Sequence, residues 1–204
     1  NEELDKCYRY MDTDGDAIPY RTLPGVHPKG AYFTRGSGHT QYGGYTEDST
    51  EYQIVLDRLK RKFATAKRLV PNAVFEGRDS QPIGIVSFGS CDGAVREAHD
   101  LLKRRGVHAD YMRVRAFPFG EDVEEFLAHH ELLFVVEQNR DAQMKSLLTL
   151  ETRVEKSKLR SILHYSGFPM ASTVIVDGVL ASINSEGRRS PIGTERLVHK
   201  IILQ

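Results

Sequence analysis

The sequence predicts an α/β fold: a mostly parallel sheet with helices on both faces, preceded by an irregular strap and one helix. Three observations carry this. Short apolar runs alternate with amphipathic stretches from Pro82 onward, as parallel strands joined by crossover helices require. The run Leu132-Leu133-Phe134-Val135-Val136 is continuously apolar, the pattern of a central strand buried on both faces. The first 48 residues show neither a helical nor a strand period, and breakers recur from Gly15 to Gly44.

Taken in order, Asn1–Ser49 is rich in Gly, Pro, Asp and Thr, yet it also carries Tyr8, Tyr10, Tyr20, Tyr32, Phe33, Tyr42 and Tyr45. A disordered tail lacks aromatics, so the segment reads as an ordered strap lying on a surface of a neighbouring domain or subunit. A helix is expected from Ser49, with Ser49 or Thr50 as cap and an apolar stripe of Val55, Leu59, Phe63, Ala66 and Leu69. The opposite face, with Asp57, Arg58, Lys60, Arg61, Lys62, Lys67 and Arg68, is basic and reads as solvated surface. Pro71 ends this helix, and Asn72–Gln81 reads as a linker with a short extended piece at Ala73-Val74-Phe75. The expected division is therefore 1–81 for strap, helix and linker, and 82–204 for the α/β domain.

Within that domain, strands are expected at Ile83–Phe88, Tyr111–Ala116, Leu132–Glu137 and Ser161–Tyr165, and helices at Asp92–Arg105, Glu121–His130 and Asp141–Glu151. Two readings compete over 172–183. Asp177-Gly178 is the signal of a tight hairpin, whereas Ala171, Val174, Ile175, Val179 and Ile183 share one helical face. The residues by themselves lean to the hairpin. The end carries a short amphipathic run, Glu195–Leu203.

Composition narrows the function. The 204 residues hold 28 Lys+Arg against 28 Asp+Glu, which argues against nucleic acid or a membrane surface bound through bulk charge. No apolar run is long enough to span a bilayer. The two cysteines, Cys7 and Cys91, belong to no CxxC pair, so neither an iron–sulfur cluster nor structural zinc is expected on this chain, and two free thiols fit a cytoplasmic setting. The chain opens at Asn1 without Met and reads as a piece of a longer polypeptide.

The turn Gly89, Ser90, Cys91, Asp92, Gly93 joins a strand to a helix N-terminus, a place suited to an anion. Its glycine spacing is not that of a dinucleotide fingerprint, it lacks the Gly-Lys-Ser/Thr of a phosphate loop, and Asp92 repels an anion. A helix-capping turn is the simpler reading. Cys91 reads as a small buried residue. Asp12-Thr13-Asp14-Gly15-Asp16 lacks the glycine and glutamate positions of a calcium loop. His129-His130-Glu131 reads as a solvated helix end. Glu137, Gln138, Asn139 and Arg140 follow the most buried strand, at the carboxyl edge where α/β folds place their sites. They suit either an active-site rim or a subunit interface, and spacing does not separate the two. His27 and His39 read as polar anchors at an interface.

Three stretches carry a resemblance: Gly15–Gly25, His27-Pro28-Lys29-Gly30-Ala31-Tyr32-Phe33-Thr34-Arg35-Gly36, and Tyr45-Thr46-Glu47-Asp48. Together with Val135–Gln143 and Leu159–Tyr165, they resemble the α subunit of 2-oxoacid:ferredoxin oxidoreductases, with the 2-oxoglutarate type the best fit. The resemblance covers roughly residues 8–183 and adds Arg35 to the expected interface residues. It implies a C-terminal transketolase-like domain and a helix rather than a hairpin at 172–183. It also implies, for the full complex, CoA-dependent oxidative decarboxylation with thiamine diphosphate, magnesium and an iron–sulfur cluster. The implied partners are the rest of the α subunit, a β subunit and, through the complex, ferredoxin. None of the implied cofactor or substrate residues lies on this chain, so no turnover is expected from it alone. The other reading is a stand-alone anion- or nucleotide-binding regulatory module acting through Gly89–Gly93.

Overall fold

The computed structural model describes residues 7–23, 25–31, 36–78 and 80–189, with side chains through 185 at its carboxyl end. The chain divides into two compact units, Asn1–Val70 and Pro71–Gln204.

In the first unit, helix α1 (Ser49–Ala66) starts where Asp48 Oδ1 accepts the Thr50 and Glu51 amides, so the cap is Asp48 rather than Ser49 or Thr50. Its buried residues are Val55 and Arg58. This corrects the expected stripe: Leu59, Phe63 and Leu69 are 36, 53 and 69 % exposed. The physical reason is that the irregular segment meets α1 through polar groups. The Arg58 guanidinium donates to the Ala17 carbonyl (3.1 Å), and Thr65 Oγ1 donates to the Asp16 carbonyl (2.6 Å). The aromatics of the segment pack on one another, with Tyr10 stacked on His39 and Tyr8 edge-on to Tyr42.

The second unit is a five-stranded sheet in the order β1-β3-β2-β4-β5. Its strands are β1 (Val74–Glu76), β2 (Ile83–Phe88), β3 (Asp110–Val114), β4 (Leu132–Glu137) and β5 (Leu159–Leu163). All neighbours are parallel except β1, which runs antiparallel to β3. The expected linker therefore contains the sheet's edge strand, and the second unit begins at Pro71, before Pro82. Connecting helices are α2 (Asp92–Arg104), α3 (Glu121–His129) and α4 (Gln143–Glu151), with α5 (Ser172–Arg189) following β5.

Every residue of β4 is buried, as its unbroken apolar run demands. Alternate strand residues supply two cores. Ile83, Ile85, Phe134 and Val136 pack with Val95, Ala98 and Leu102 of α2 and Ile175 and Val179 of α5. Val86, Met112, Leu133 and Val135 pack with Val123, Phe126 and Leu127 of α3 and Leu148 of α4. Helices thus cover both faces, as the alternation of elements predicts.

Residues 172–183 are helical, so the local Asp-Gly hairpin signal loses to packing. Gly178 sits inside α5, where a Cβ would lie 3.2 Å from the Ile162 side chain. The glycine serves close helix–strand approach, not a turn. The run at 195–203 lies outside the described residues.

His130 is a second correction. It is fully buried rather than solvated, its ring tilted against that of Phe126 with centroids 4.1 Å apart. Its Nδ1 lies 2.6 Å from the Phe126 carbonyl and its Nε2 3.2 Å from Asp110 Oδ2. Asp110 also accepts from the Ser80 amide and hydroxyl and the Gln81 amide, which holds the β1–β2 connection to the amino end of β3.

Candidate functional site

The strand order reverses between β2 and β4: β2 leads outward through α2 to β3, whereas β4 leads the other way through α4 to β5. The crevice outside the carboxyl ends of these two strands is where open α/β sheets place ligands. Two of the sequence-selected groups meet there, Gly89–Gly93 after β2 and Glu137–Arg140 after β4.

Gly89 has φ +59, so it turns the chain sharply out of β2. Gly89–Cys91 then forms one 3-10 turn that runs directly into α2. Ser90 Oγ donates to Gln138 Oε1 (3.3 Å), a bond that spans the crevice. Cys91 is buried at 2 % exposure. Burial pushes its thiol pKa up, opposed only in part by the Gln138 backbone amide, and nearby Glu137 adds to the rise. Asp92 does not cap α2. Its carboxylate accepts from Tyr111 Oη (2.8 Å), Arg96 Nε (3.2 Å) and Arg113 Nη1 (3.3 Å), while Tyr111 also bonds Ser87 Oγ (2.7 Å). Desolvation raises the Tyr111 pKa above the ordinary phenol range, the Ser87 bond lowers it, and the bond to Asp92 raises it further. Arg96 additionally pairs with Glu76.

Glu137 is fully buried and turned inward. Its Oε2 accepts from the Met144 amide (2.7 Å) and Asn139 Nδ2 (2.8 Å), and its Oε1 from the Lys145 amide (3.1 Å). Asn139 Oδ1 accepts from the Asp141 and Gln143 amides. The first-turn amides of α4, which no helix satisfies by itself, are thus satisfied by the preceding strand end and loop. Residues Gln138 and Arg140 are exposed, and Arg140 pairs with its neighbour Asp141.

Chemically, the two helix N-termini at this crevice differ: the α4 amides are taken from within the unit, whereas no side chain caps α2. Asp92 puts negative charge at the start of α2, and Glu137 with Asn139 takes the α4 amides. An anion arriving there meets a carboxylate at each helix start.

The remaining selected residues belong to the first unit. His27 Nδ1 accepts from the Lys29 amide and caps the turn Pro28–Gly30. His39 is half-buried, stacks on Tyr10, and bridges backbone-to-backbone with Tyr45. Arg35 lies outside the described residues. The carboxylates of Asp12, Asp14 and Asp16 come within 4.8 Å of one another. Each, however, accepts a loop amide, from Gly15, Asp16 and Ile18 in turn, and Asp14 also accepts from Tyr20 Oη.

Two networks escaped the sequence reading: the buried pair Asp110 with His130, and the partly buried set of Asp92 with Tyr111, Ser87 and Arg113. One signal was available for the first, an Asp opening a strand amid Val107, Ala109 and Tyr111, where a lone charge requires partners.

The residues present do not fit an iron–sulfur cluster, because the sequence holds only two cysteines, one in each unit.

Comparison with known proteins gives a consistent picture. No family model matches the chain. It is 34 % identical over 177 residues to 2-oxoacid:ferredoxin oxidoreductase 2, subunit alpha, of Aeropyrum pernix, which covers 84 % of this chain and 27 % of that protein. It is 28 % identical over 195 residues to the 2-oxoacid:ferredoxin oxidoreductase subunit alpha of Saccharolobus solfataricus, covering 93 % of this chain and 30 % of that one. Among solved structures, a 2-oxoglutarate:ferredoxin oxidoreductase from Magnetococcus marinus, with 2-oxoglutarate, coenzyme A and succinyl-CoA bound, superimposes with TM-score 0.71 at 24 % identity. That match covers 88 % of this chain and 31 % of the other, and it shows the shared fold. The chain spans under a third of the length of the relatives it matches. Over most of its length, this chain is related to one portion of 2-oxoacid:ferredoxin oxidoreductase α subunits.

Proposed function

We propose that the chain acts as the C-terminal, transketolase-like portion, with its strap, of the α subunit of a thiamine-dependent 2-oxoacid:ferredoxin oxidoreductase. In this reading the full complex converts a 2-oxoacid, 2-oxoglutarate first among them, to its CoA thioester and passes the electrons to ferredoxin. This portion contributes shape and assembly surface, while the reacting groups come from elsewhere in the α subunit and from a β subunit. Thiamine diphosphate, magnesium, CoA and the cluster belong to that complex.

The observation that carries the reading is the 34 % identity sustained over 84 % of the chain. The inward-turned polar groups at the β2–β4 crevice support an assembly role, because Glu137 and Asp92 spend their hydrogen bonds within the unit. They weigh against an anion-binding regulator acting through Gly89, Ser90, Cys91 and Gly93. Domain bounds near 71–204 and an interface role for exposed Gln138 and Arg140 belong to the same proposal.

The test is reconstitution. The chain is co-purified with the remaining α-subunit segments and a β subunit, then assayed for 2-oxoacid- and CoA-dependent dye reduction. Activity is expected only from the complete set, with 2-oxoglutarate preferred to pyruvate. Turnover by this chain plus β alone, or tight binding of CoA or thiamine diphosphate to the isolated chain, overturns the assembly reading.

A further inference from the structure

Three costly features meet where the irregular segment of the first unit touches α1. Ala17 is buried and has φ +69, in the left-handed region that an L side chain seldom occupies. Arg58 is 7 % exposed, and its Nε is enclosed without a hydrogen-bond acceptor, the one such side-chain atom among the described residues. The carboxylates of Asp12, Asp14 and Asp16, all of like charge, lie within 4.8 Å of one another. Each feature costs free energy and lasts only while its surroundings hold it.

Two bonds do the holding. Arg58 Nη1 donates to the Ala17 carbonyl (3.1 Å), and Thr65 Oγ1 donates to the Asp16 carbonyl (2.6 Å). Together they fix the peptide groups on either side of the Ala17 Cα, and so keep its φ positive.

Because Arg58 Nε is enclosed, its acceptor must come from inside the unit. Asp12 answers all three features at once. Its carboxylate shares the cluster with Asp16, the residue before Ala17, and its recorded bond uses only Oδ1, which accepts the Gly15 amide (3.0 Å). Burial pulls the Arg58 pKa down and Arg9 and Arg61 add to that, while the Asp12 charge acts the other way and favours the cation. A carboxylate turned to the Nε edge of a guanidinium accepts two parallel bonds. Asp12 turned in this way leaves the other two carboxylates less crowded. A guanidinium drawn to it gives up the Ala17 carbonyl, and Ala17 is free to return to negative φ, which swings the Asp16 carbonyl away from Thr65.

We propose that Asp12–Ile18 and Arg58 form a two-position latch: in one position Arg58 holds the Ala17 carbonyl, and in the other it pairs with the Asp12 carboxylate while Ala17 relaxes to negative φ. The hold of the irregular segment on α1 is then switchable rather than permanent. This goes beyond the assembly role argued above and does not depend on which oxidoreductase the chain serves.

The test is relaxation-dispersion NMR on the 204-residue chain, read at the Gly15 and Ile18 amides and at Arg58 Nε–H. Microsecond-to-millisecond exchange is expected at all three. Substitutions should move the population of the second position in opposite directions. Ala17→Gly removes the cost of left-handed backbone and should lower it at least about fivefold. Asp12→Asn keeps an acceptor for the Gly15 amide but loses the charge, and should lower it at least about tenfold. Thr65→Ala removes a bond made only in the first position and should raise it about threefold or more. Asp57→Asn, the same charge change at an exposed site of α1, should leave it unchanged. A wild-type chain without exchange, exchange undiminished by Asp12→Asn, or Ala17→Gly and Thr65→Ala acting in the same direction overturns the proposal. So does a long-lived water seen at Arg58 Nε through water–protein NOEs, since the water then supplies the missing acceptor. Should Asp12→Asn unfold the unit, the opposed pair Ala17→Gly and Thr65→Ala decides alone. Failure of the oxidoreductase reconstitution leaves this result untouched, and the reverse holds as well.

Discussion

Replacing Glu137 with Gln isolates what a buried carboxylate does for the helix that follows it. The substitution keeps the shape and removes one acceptor oxygen. In the native unit three donors converge on the carboxylate, the Met144 amide at 2.7 Å, Asn139 Nδ2 at 2.8 Å and the Lys145 amide at 3.1 Å. A glutamine oxygen can keep one side of this set, but its NH2 then faces a donor on the other. One charge-assisted bond is lost, about 1.5–3 kcal/mol, and the negative charge at the α4 N-terminus goes with it, about 0.5–1 kcal/mol. The expected cost is about 2–4 kcal/mol, and it falls on α4 first. Native-state hydrogen exchange reads this directly: protection of the Met144 and Lys145 amides should drop by at least about twentyfold, while β2 amides change less. Urea denaturation should show the same loss. If Glu137→Gln exchanges like wild type and melts within about 0.5 kcal/mol of it, the carboxylate is not what holds α4, and the account of this crevice as internally satisfied fails.

Three further outcomes follow from the same geometry. Because the protonated Tyr111 phenol is favoured in the folded unit, stability should hold below about pH 10 and fall above it by up to about 1.4 kcal/mol per pH unit, as the unfolded phenol ionises first. Tyr111→Phe should flatten that slope in alkaline urea melts, and an unchanged slope refutes the assignment. Gly84→Ala should destabilise by about 1–3 kcal/mol, since its Cβ would lie 2.8 Å from Leu133 Cδ2 and 2.9 Å from Phe126 Cε1, and a neutral result in thermal melts would show that α3 can yield. In a Cys7→Ser background, Cys91 should resist a thiol-specific disulfide reagent at neutral pH until the unit is unfolded. Modification at the rate of a free thiol would show that the helix N-terminus activates it after all.

The parts of the fold that were legible in the sequence are those whose burial leaves a pattern along the chain. β4 announces itself because a strand covered on both faces has no reason to alternate, and α2 because one face packs on the sheet while the other carries Arg96, Glu97 and Lys103. β1 was legible only as a short extended piece at Ala73-Val74-Phe75, because three residues cannot establish a period, and its pairing with Tyr111–Arg113 makes it a strand of the sheet. The competition over 172–183 was decided by Ile175, Val176 and Val179 all finding one core, against a turn signal that acts only locally. At the candidate site, the meeting of Ser90 with Gln138 was implied by strand order, which the sequence does not print. The inward turn of Glu137 was hidden for the same reason, since a carboxylate at a strand end reads as solvent-facing until α4 is seen to return over it. His130 and Arg58 were misjudged by their type: each is buried because a specific acceptor waits for it, Asp110 and the Ala17 carbonyl.

The hold of Asp110 on Ser80 and Gln81 bears on how this chain can be rebuilt. The β1–β2 connection runs outside the regular elements and looks like a tolerant place for a tag, a reporter or new termini. Yet its backbone is anchored not to its own flanks but to a third strand, which arrives some thirty residues later in the sequence. An insertion there would detach the edge strand and leave the buried Asp110 with His130 as its remaining side-chain partner among the described residues. The loop after β5 is the safer graft point: Tyr165, Ser166, Gly167 and Phe168 are exposed, and the side-chain bonds recorded for His164 and Ser166 stay within the loop.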